Sequence, residues 1–274
     1  MQSHLSSPWN NSVTLLFTAY REQALTTGSG FFWQHADRTF LLTNWHILSG
    51  RNPLTGAPLD ERTAAIPNRL EFMAYKLISA PDARGMATFT YNPVAVNICD
   101  DDLTAARWLE HPTFGRRVDV GALDISDAVK GAHIRCVNTL ESNAALPPQT
   151  GQDVFVLGFP FGPIAGAHAP VWKRGSIALD PTYDVDGLPK VLIDTATRPG
   201  MSGSVVIARH IVVGTAYEQK DGSKSETMLY AQLDLVLGIY SGRHYPDFEK
   251  AQLGIVWKRR AIEETVASGV IANP

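Results

Sequence analysis

Short runs of apolar and β-branched residues, broken by glycine, proline, asparagine and aspartate, dominate the chain. Runs of roughly four to eight such residues predict β-strands. The predicted strands are 13–20, 30–33, 39–43, 70–78, 87–91, 94–99, 154–158, 171–177, 190–194, 205–208, 211–217, part of 228–240, and 253–258. Many short strands separated by turn residues indicate an all-β protein built as a barrel or a sandwich.

A helical pattern is much rarer along the chain. Ile262 and Val266 stand four residues apart, and this spacing predicts a carboxy-terminal helix over 259–267. A second, short helix is predicted over 103–109.

Two polar stretches organise the chain into parts. Residues 50–69 are rich in proline, glycine, threonine and charge, which predicts a long loop. Residues 126–150 lack a clear period and end in Leu146-Pro147-Pro148-Gln149-Thr150, a sequence typical of a linker. We therefore expect an amino-terminal unit over 1–135, a linker over 136–150, a second unit over 151–258, and a helix with a tail over 259–274.

Composition and charge are those of an ordinary globular protein. The chain has 274 residues, of which 45% are hydrophobic and 19% charged, and a formal net charge of −3. Nothing here indicates binding to nucleic acid or to a membrane, and no apolar run is long enough for a transmembrane helix. The amino terminus lacks the basic and apolar regions of a signal peptide, so a cytoplasmic location is expected. Cys99 and Cys136 show no metal-ligand spacing, and we expect free, buried thiols and no metal site, with one disulfide as the alternative.

The segment Arg198-Pro199-Gly200-Met201-Ser202-Gly203-Ser204 carries the first candidate for chemistry, because it places a serine between glycines just before a strand. A serine hydroxyl becomes a nucleophile only when a base takes its proton and donors meet the oxyanion. A glycine two residues earlier lets the backbone N–H groups of Gly200 and Ser202 point at one spot. An ordinary turn is the alternative, since small residues cluster in turns.

A base and an acid for Ser202 come from the first half of the chain. His46 follows the apolar strand 39–43, where a structural core histidine is the alternative. Asp119 is flanked by valines, and burying its charge is costly unless it is paired, for example with a histidine N–H. The alternative for Asp119 is an outward-facing strand position. Asp124 is the second candidate for the acid.

Together these motifs resemble a known family. The motifs are Gly28-Ser29-Gly30-Phe31-Phe32, Leu42-Thr43-Asn44-Trp45-His46, Val118-Asp119-Val120-Gly121-Ala122-Leu123, Gly158-Phe159-Pro160 and Pro199-Gly200-Met201-Ser202-Gly203-Ser204. Their order resembles that of the trypsin-like (chymotrypsin-fold) serine peptidases, and most closely the bacterial trypsin-like and Deg-type branches. Asp119 follows His46 by 73 residues and Ser202 follows Asp119 by 83, which suits a histidine and an acid in one barrel and a serine in the next.

The resemblance implies a fold and a mechanism. The fold would be two six-stranded antiparallel β-barrels followed by a carboxy-terminal α-helix. Ser202 would be the nucleophile, His46 the general base and Asp119 the acid that orients the histidine. Gly200 and Ser202 would form the oxyanion hole, and no cofactor is implied.

The resemblance also implies where substrate binds. The specificity pocket would lie beside Ala196 and Thr197, and Tyr240, Ser241 and Gly242 would run beside the substrate backbone as an added strand. Ala196 takes the place of an acid that favours cleavage after lysine or arginine, so we expect a small or apolar residue before the cut. An acidic residue before the cut is the weaker alternative. Thr197 resembles the glutamate-specific relatives, but those relatives have a histidine where this chain has Tyr240.

The chain departs from the family pattern in three places. Met201 replaces an aspartate that pairs with a newly cut amino terminus in many secreted relatives, so no zymogen switch of that kind is expected. Met201 leaves open how the oxyanion loop is held. Gly121 follows the acid where a larger residue or alanine is usual. A peptide-binding module, which Deg-type enzymes carry after the protease, is not expected after the last helix.

The sequence therefore predicts a serine endopeptidase that acts on polypeptides. A catalytically silent protease fold used as a binding module is the alternative. An esterase of the α/β-hydrolase type is set aside, because Ser202 precedes a strand and position 204 is not glycine. Residues 50–69 and 218–227 are polar insertions where specificity or regulation would reside. A regulatory protein partner and the oligomeric state stay open.

Overall fold

The computed structural model describes residues 7–79, 88–100, 102–141, 146–160, 162, 169–196, 198–220, 223–242 and 251–273. Strands dominate, as the sequence predicts. The strands are β1 Val13–Tyr20, β2 Gln23–His35, β3 Arg38–Thr43, β4 Arg69–Ser79, β5 Thr88–Asn97, β6 Trp108–Glu110, β7 Gly121–Asp124, β8 Asp153–Gly158, β9 Val171–Ile177, β10 Lys190–Asp194, β11 Val205–Lys220, β12 Ser223–Tyr240, β13 Leu253–Lys258 and β14 Val270–Ile271. The α-helices of the described residues are Trp45–Ser49 and Arg259–Ser268, and short 3₁₀ turns cover Pro8–Ser12, Gly115–Arg117, Val137–Thr139 and Val185–Gly187.

The first sheet has eight strands among the described residues, in the order β14-β6-β7-β3-β2-β1-β4-β5. It therefore differs from the predicted six-stranded barrel. Two very short strands account for the difference: β6 pairs with β7, and β14 in the carboxy-terminal tail pairs with β6 through Val270 and Glu110. Such strands are too short to show a period in the sequence.

The helix predicted over 103–109 is wrong. Trp108 and Leu109 lie in β6 instead, where Trp108 is opposite Leu123 and is almost fully buried. Pairing with β7 and burial of the indole ring outweigh the local helical pattern, which spans less than two turns.

The second sheet closes on itself, with the order β10-β13-β12-β11-β8-β9. Strand β11 unites the two strands predicted at 205–208 and 211–217, with a register shift after Val206. It pairs with β8 only over Val205–Ala208, and its remainder forms a long ribbon with β12. The polar insertion predicted at 218–227 belongs to this ribbon, apart from residues 221–222, which lie outside the described residues.

A shared hydrophobic core joins the two sheets. Leu15 and Phe31 of the first sheet lie in one buried cluster with Leu157, Val205 and Trp257 of the second. The carboxy-terminal helix adds its buried stripe to the same cluster, as its four-residue spacing predicts. Each fully buried side chain of this kind contributes roughly 1.5–3 kcal/mol. This packing fixes the start of β11, and hence the turn before it, against β2.

Cys99 and Cys136 are free and buried, as predicted. Burial raises the pKa of the Cys136 thiol to about 11, so this thiol stays protonated at neutral pH. In the described part of the chain, no helix is both long and apolar enough to span a membrane.

Candidate active site

His46 lies in the short helix that follows β3. Asn44 precedes this helix, and Gly50 ends it with a left-handed φ of 65°. The Asn44 side chain is fully buried and donates a hydrogen bond of 2.8 Å to the backbone carbonyl of Asp119. The turn that carries the histidine is therefore tied directly to the residue that carries the acid.

Asp119 lies just before β7, and its side chain points inward. It is 1% exposed, which excludes the outward-facing strand position. Its Oδ1 accepts the backbone N–H of His46 at 2.9 Å, and its Oδ2 lies 2.7 Å from Nδ1 of the same residue. A buried carboxylate needs such partners to offset its lost hydration. The structure thus brings together the histidine and the first-ranked acid.

Asp124, the second candidate for the acid, contacts Ser126 and Arg38. It accepts hydrogen bonds from the backbone and hydroxyl of Ser126 and pairs with Arg38. Partial burial by itself would raise the pKa of Asp124, but the bonds from Ser126 and the charge of Arg38 lower it. This carboxylate anchors a turn on the first sheet.

Ser241 is a partner of Asp119 that the sequence did not reveal. Its hydroxyl donates to Asp119 Oδ2 at 2.5 Å, and the residue is 1% exposed. Its backbone N–H and the carbonyl of Gly242 pair with Ile255, so these two groups are not available to a substrate. The Ser241 side chain therefore supports the acid, and binding of a substrate backbone beside Ser241 and Gly242 stays a prediction.

The turn around Ser202 depends on two glycines with left-handed backbone angles. Gly200 has a φ of 92° and Gly203 a φ of 84°. A Cβ on Gly203 would lie 2.0 Å from the carbonyl oxygen of Ser29, so no other residue fits. The Ser202 carbonyl accepts the Ser29 N–H at 2.8 Å, and the Gly203 N–H donates to the Tyr240 carbonyl at 2.9 Å.

Ser29 holds the loop around Gly200 from the opposite side, a contact that sequence reasoning missed. Its hydroxyl donates to the Gly200 carbonyl at 2.8 Å and accepts the Phe159 N–H at 3.0 Å. Gly158 leaves room for this contact, because a Cβ there would lie 2.7 Å from the Ser29 oxygen. The Gly-Ser-Gly motif at positions 28–30 was the only trace of this role in the sequence.

The Met201 side chain holds the loop around Ser202 in place, although the chain has no aspartate at this position. The side chain is 1% exposed and lies in a buried cluster with Val206, Tyr240 and Val256. Hydrophobic burial takes the place of an ion pair at this position. Among the described residues, the N–H groups of Gly200 and Ser202 donate to no backbone carbonyl.

A cavity of about 540 Å³ lies over these residues. His46, Gly200, Ser202, Ser241 and Gly242 all line it. The histidine side chain is 12% exposed, so it is accessible from the cavity while its Nδ1 side stays covered. Ser202, His46 and the loop residue Gly200 thus share one solvent-accessible space.

Ala196 and Tyr240, which were also predicted to bind substrate, do not line this cavity. Ala196 is half-buried and does not line the cavity, and Thr197 lies outside the described residues. Tyr240 is 1% exposed and fills the space beside Gly254, where a Cβ would lie 2.5 Å from the tyrosine ring. His111, interpreted as a loop histidine, is buried with its Nε2 2.7 Å from Glu264.

Comparison with known families gives one match. A family model described as trypsin-like peptidase domain matches residues 28–214, which is more than half of the chain and includes His46, Asp119 and Ser202. A search of curated proteins found no significant match.

Solved structures of serine proteases resemble the chain at low sequence identity. A serine endoprotease from Yersinia pestis is 13% identical with a TM-score of 0.49, over 94% of this chain and 62% of that one. The protease Anisep from Arthrobacter nicotinovorans is 15% identical with a TM-score of 0.47, over 93% of each chain. A thermostable serine protease from an extremophilic microorganism is 13% identical with a TM-score of 0.45, over 93% of this chain and 95% of that one. The chain spans less than two thirds of the Yersinia pestis endoprotease. All three TM-scores lie below 0.5, so the assignment rests on the family model.

Proposed function

Because this chain belongs to the trypsin-like peptidase family, we propose that it is a serine endopeptidase that hydrolyses peptide bonds with Ser202, His46 and Asp119. Family membership confirms the resemblance found in the sequence. The roles of the individual residues are our proposal and rest on the geometry of the site.

The proposed reaction is acyl transfer to water in two steps. Ser202 Oγ attacks the scissile carbonyl while His46 Nε2 takes its proton, and the same nitrogen then protonates the leaving amine. An ester now joins the acyl part of the substrate to Ser202. Water attacks this ester with His46 again as base, and the released Ser202 oxygen takes the proton back.

Asp119 orients the base. Its two carboxylate oxygens meet the backbone N–H and the Nδ1 of His46, which fixes the ring plane and places the other ring nitrogen toward the cavity. The negative charge also stabilises the imidazolium that forms during attack. This paired contact of a buried carboxylate, beside a cavity that holds Ser202, is the single observation that carries the proposal.

The oxyanion would be met by the backbone N–H groups of Gly200 and Ser202. Ser29 and Met201 support this role, because they hold the loop from its polar and apolar sides. Donors fixed before the reaction need no rearrangement in the transition state, and each is worth roughly 3–4 kcal/mol in enzymes of this kind.

We further propose that a small or apolar residue precedes the cut. Ala196 supplies no charge for a basic side chain. The buried Tyr240 ring occupies the space beside Gly254, so this space is closed to a substrate side chain. The weaker alternative of an acidic residue gains no support from Tyr240, because its ring is buried among apolar side chains.

A peptide-library digest tests the proposal. The native chain and Ser202→Ala are each incubated with the same mixed peptides, and the products are sequenced by mass spectrometry. We expect cleavage by the native chain only, with alanine, serine, glycine or valine enriched before the cut. Equal products from both proteins, or none from the native chain, would favour the silent binding module. Enrichment of lysine or arginine would contradict the argument from Ala196.

A further inference from the structure

The cavity over Ser202 is not centred on the serine loop. Only Pro199, Gly200, Ser202, Ser241 and Gly242 come from the second half of the chain. The remaining walls belong to the first half and lie around His46. They include Leu25, Ile47, Pro53, Leu59, Asp60 and Pro67.

The position of His46 decides which part of a substrate enters this space. His46 must give its proton to the leaving amine, so the residue that carries this amine lies against the histidine. The walls beside His46 come from the start of β2 and from the insertion after the histidine helix. Gly28 at the inner end of the β2 wall packs on Ile47, where a Cβ would lie 3.0 Å from Ile47 Cδ1. The roomy side of the site is therefore the side of the leaving group.

The insertion after the histidine helix, residues 50–69, has a backbone held by its own hydrogen bonds. The Leu59 N–H donates to the Gly50 carbonyl at 2.8 Å, and Arg51 and Pro58 form an isolated antiparallel β-bridge. Asn52 Oδ1 accepts the backbone N–H groups of Leu54 and Thr55, which closes a turn within the same segment. Side chains held on a fixed backbone can select a substrate without first being ordered.

The lining on the His46 side combines threonine and other polar side chains with a group of apolar ones. Leu25, Ile47, Pro53, Leu59 and Pro67 supply hydrocarbon surface. Leu59 keeps 47% of its surface exposed, and a leucine left open at the mouth of a reactive cavity gains free energy when a ligand covers it.

Asp60 is the acidic residue of this lining, and its oxygens are already engaged. Its Oδ1 accepts the backbone N–H groups of Arg62 and Thr63, and its Oδ2 accepts the Thr63 hydroxyl at 2.5 Å. Recognition of a basic residue would have to compete with these bonds. The chemistry of the lining therefore favours an uncharged, apolar side chain.

We propose that this chain selects a large apolar residue, such as phenylalanine, leucine or tryptophan, directly after the scissile bond, and that Leu59 is the main side chain that recognises it. The inference rests on the proposed serine endopeptidase function and deepens it. A volume of about 540 Å³ lies within the size range of roughly 300–1,000 Å³ that ligand pockets have, so it holds a large side chain together with its backbone.

The test compares two kinds of substrate that share one acyl part. The first is a set of peptides that differ only in the residue after the cut, and the second is an ester whose leaving group is a small alcohol. We expect the peptide with phenylalanine after the cut to exceed that with serine in kcat/KM by about tenfold or more. In Leu59→Asn, the ratio of kcat/KM for the phenylalanine peptide to kcat/KM for the ester should fall about tenfold.

Leu54→Asn is the matched control, because Leu54 lies in the same insertion with 54% of its surface exposed but does not line this cavity. In Leu54→Asn, the ratio of kcat/KM for the phenylalanine peptide to kcat/KM for the ester should equal that of the native chain. No preference for a large apolar residue in the native chain, or an unchanged ratio in a folded Leu59→Asn, overturns the inference while the ester still reports an active enzyme. Loss of hydrolysis of every substrate by the native chain overturns the proposed function, and the inference with it.

Discussion

The hydroxyl of Ser241 and the Nδ1 of His46 meet the same oxygen of Asp119, at 2.5 Å and 2.7 Å. The three residues come from three separate parts of the chain, and both Ser241 and Asp119 are 1% exposed. A carboxylate held from two directions has little freedom to rotate away from the histidine. Ser241 is thus a positioning residue for the proposed base.

Ser241→Ala should lower kcat about tenfold with little change in KM. The variant removes one hydrogen bond to a charged group, worth roughly 1.5–3 kcal/mol, from the residue that orients His46. Steady-state kinetics on one peptide substrate measure both parameters. Ser126→Ala is the matched control, since it removes the equivalent bond to Asp124 and should leave kcat unchanged. Equal effects of the two substitutions on kcat would contradict the role of Ser241.

Ser29→Ala should lower both stability and kcat. The variant leaves the Gly200 carbonyl and the Phe159 N–H without their partner, which costs roughly 1–3 kcal/mol of unfolding free energy. Looser placement of the Gly200 loop should also reduce kcat about tenfold. Urea unfolding and kinetics on the folded variant separate the two effects. A loss of stability with native kcat would show that Ser29 supports the fold and not the oxyanion loop.

Met201 offers a test of hydrophobic anchoring. Met201→Ala removes most of a buried side chain and should destabilise the chain by roughly 2–5 kcal/mol, whereas Met201→Leu conserves volume and should cost less than about 1.5 kcal/mol. Urea denaturation measures both changes. Equal losses of unfolding free energy in the two variants would contradict hydrophobic anchoring by Met201.

Asp124→Asn should show a pH-dependent loss of stability. The lowered pKa of Asp124 in the folded chain means that the native carboxylate stabilises the fold above its unfolded pKa, about 3.9, and that this contribution disappears as the pH falls through the folded value. Because the side chain is 28% exposed, the difference at pH 7 should be only about 1 kcal/mol.

Unfolding by urea at neutral pH and well below pH 4 checks this sign. The gap between the native chain and Asp124→Asn should narrow in acid. A gap that widens in acid would mean that the pair with Arg38 and the bonds from Ser126 do not favour the charged form.

Local patterns were enough to predict much of this chain. Apolar runs marked most strands, the spacing of Ile262 and Val266 marked the last helix, and the ordered motifs marked the family that the family model confirms. The contacts of Ser29 with Gly200 and of Ser241 with Asp119 span 171 and 122 residues. Such contacts depend on how two sheets pack, and no short segment encodes that packing.

The helix predicted over 103–109 failed for a related reason. Trp108 sits in a strand of three residues, and its partner in β7, Leu123, lies beyond the few residues that a local pattern samples. Pairing with β7 therefore decides where the Trp108 side chain goes. The Tyr240 ring is likewise placed by a contact outside its own strand, because it fills the space that Gly254 leaves open, and its role toward substrate stays a prediction.

Labelling with a fluorophosphonate probe tests the central claim most directly. The probe phosphonylates a serine oxygen only when a base activates it and donors meet the developing charge. We predict a single adduct that peptide mapping places on Ser202, absent in Ser202→Ala and strongly reduced in His46→Ala. A native chain that stays unlabelled, or labelling that persists in Ser202→Ala, would contradict the account.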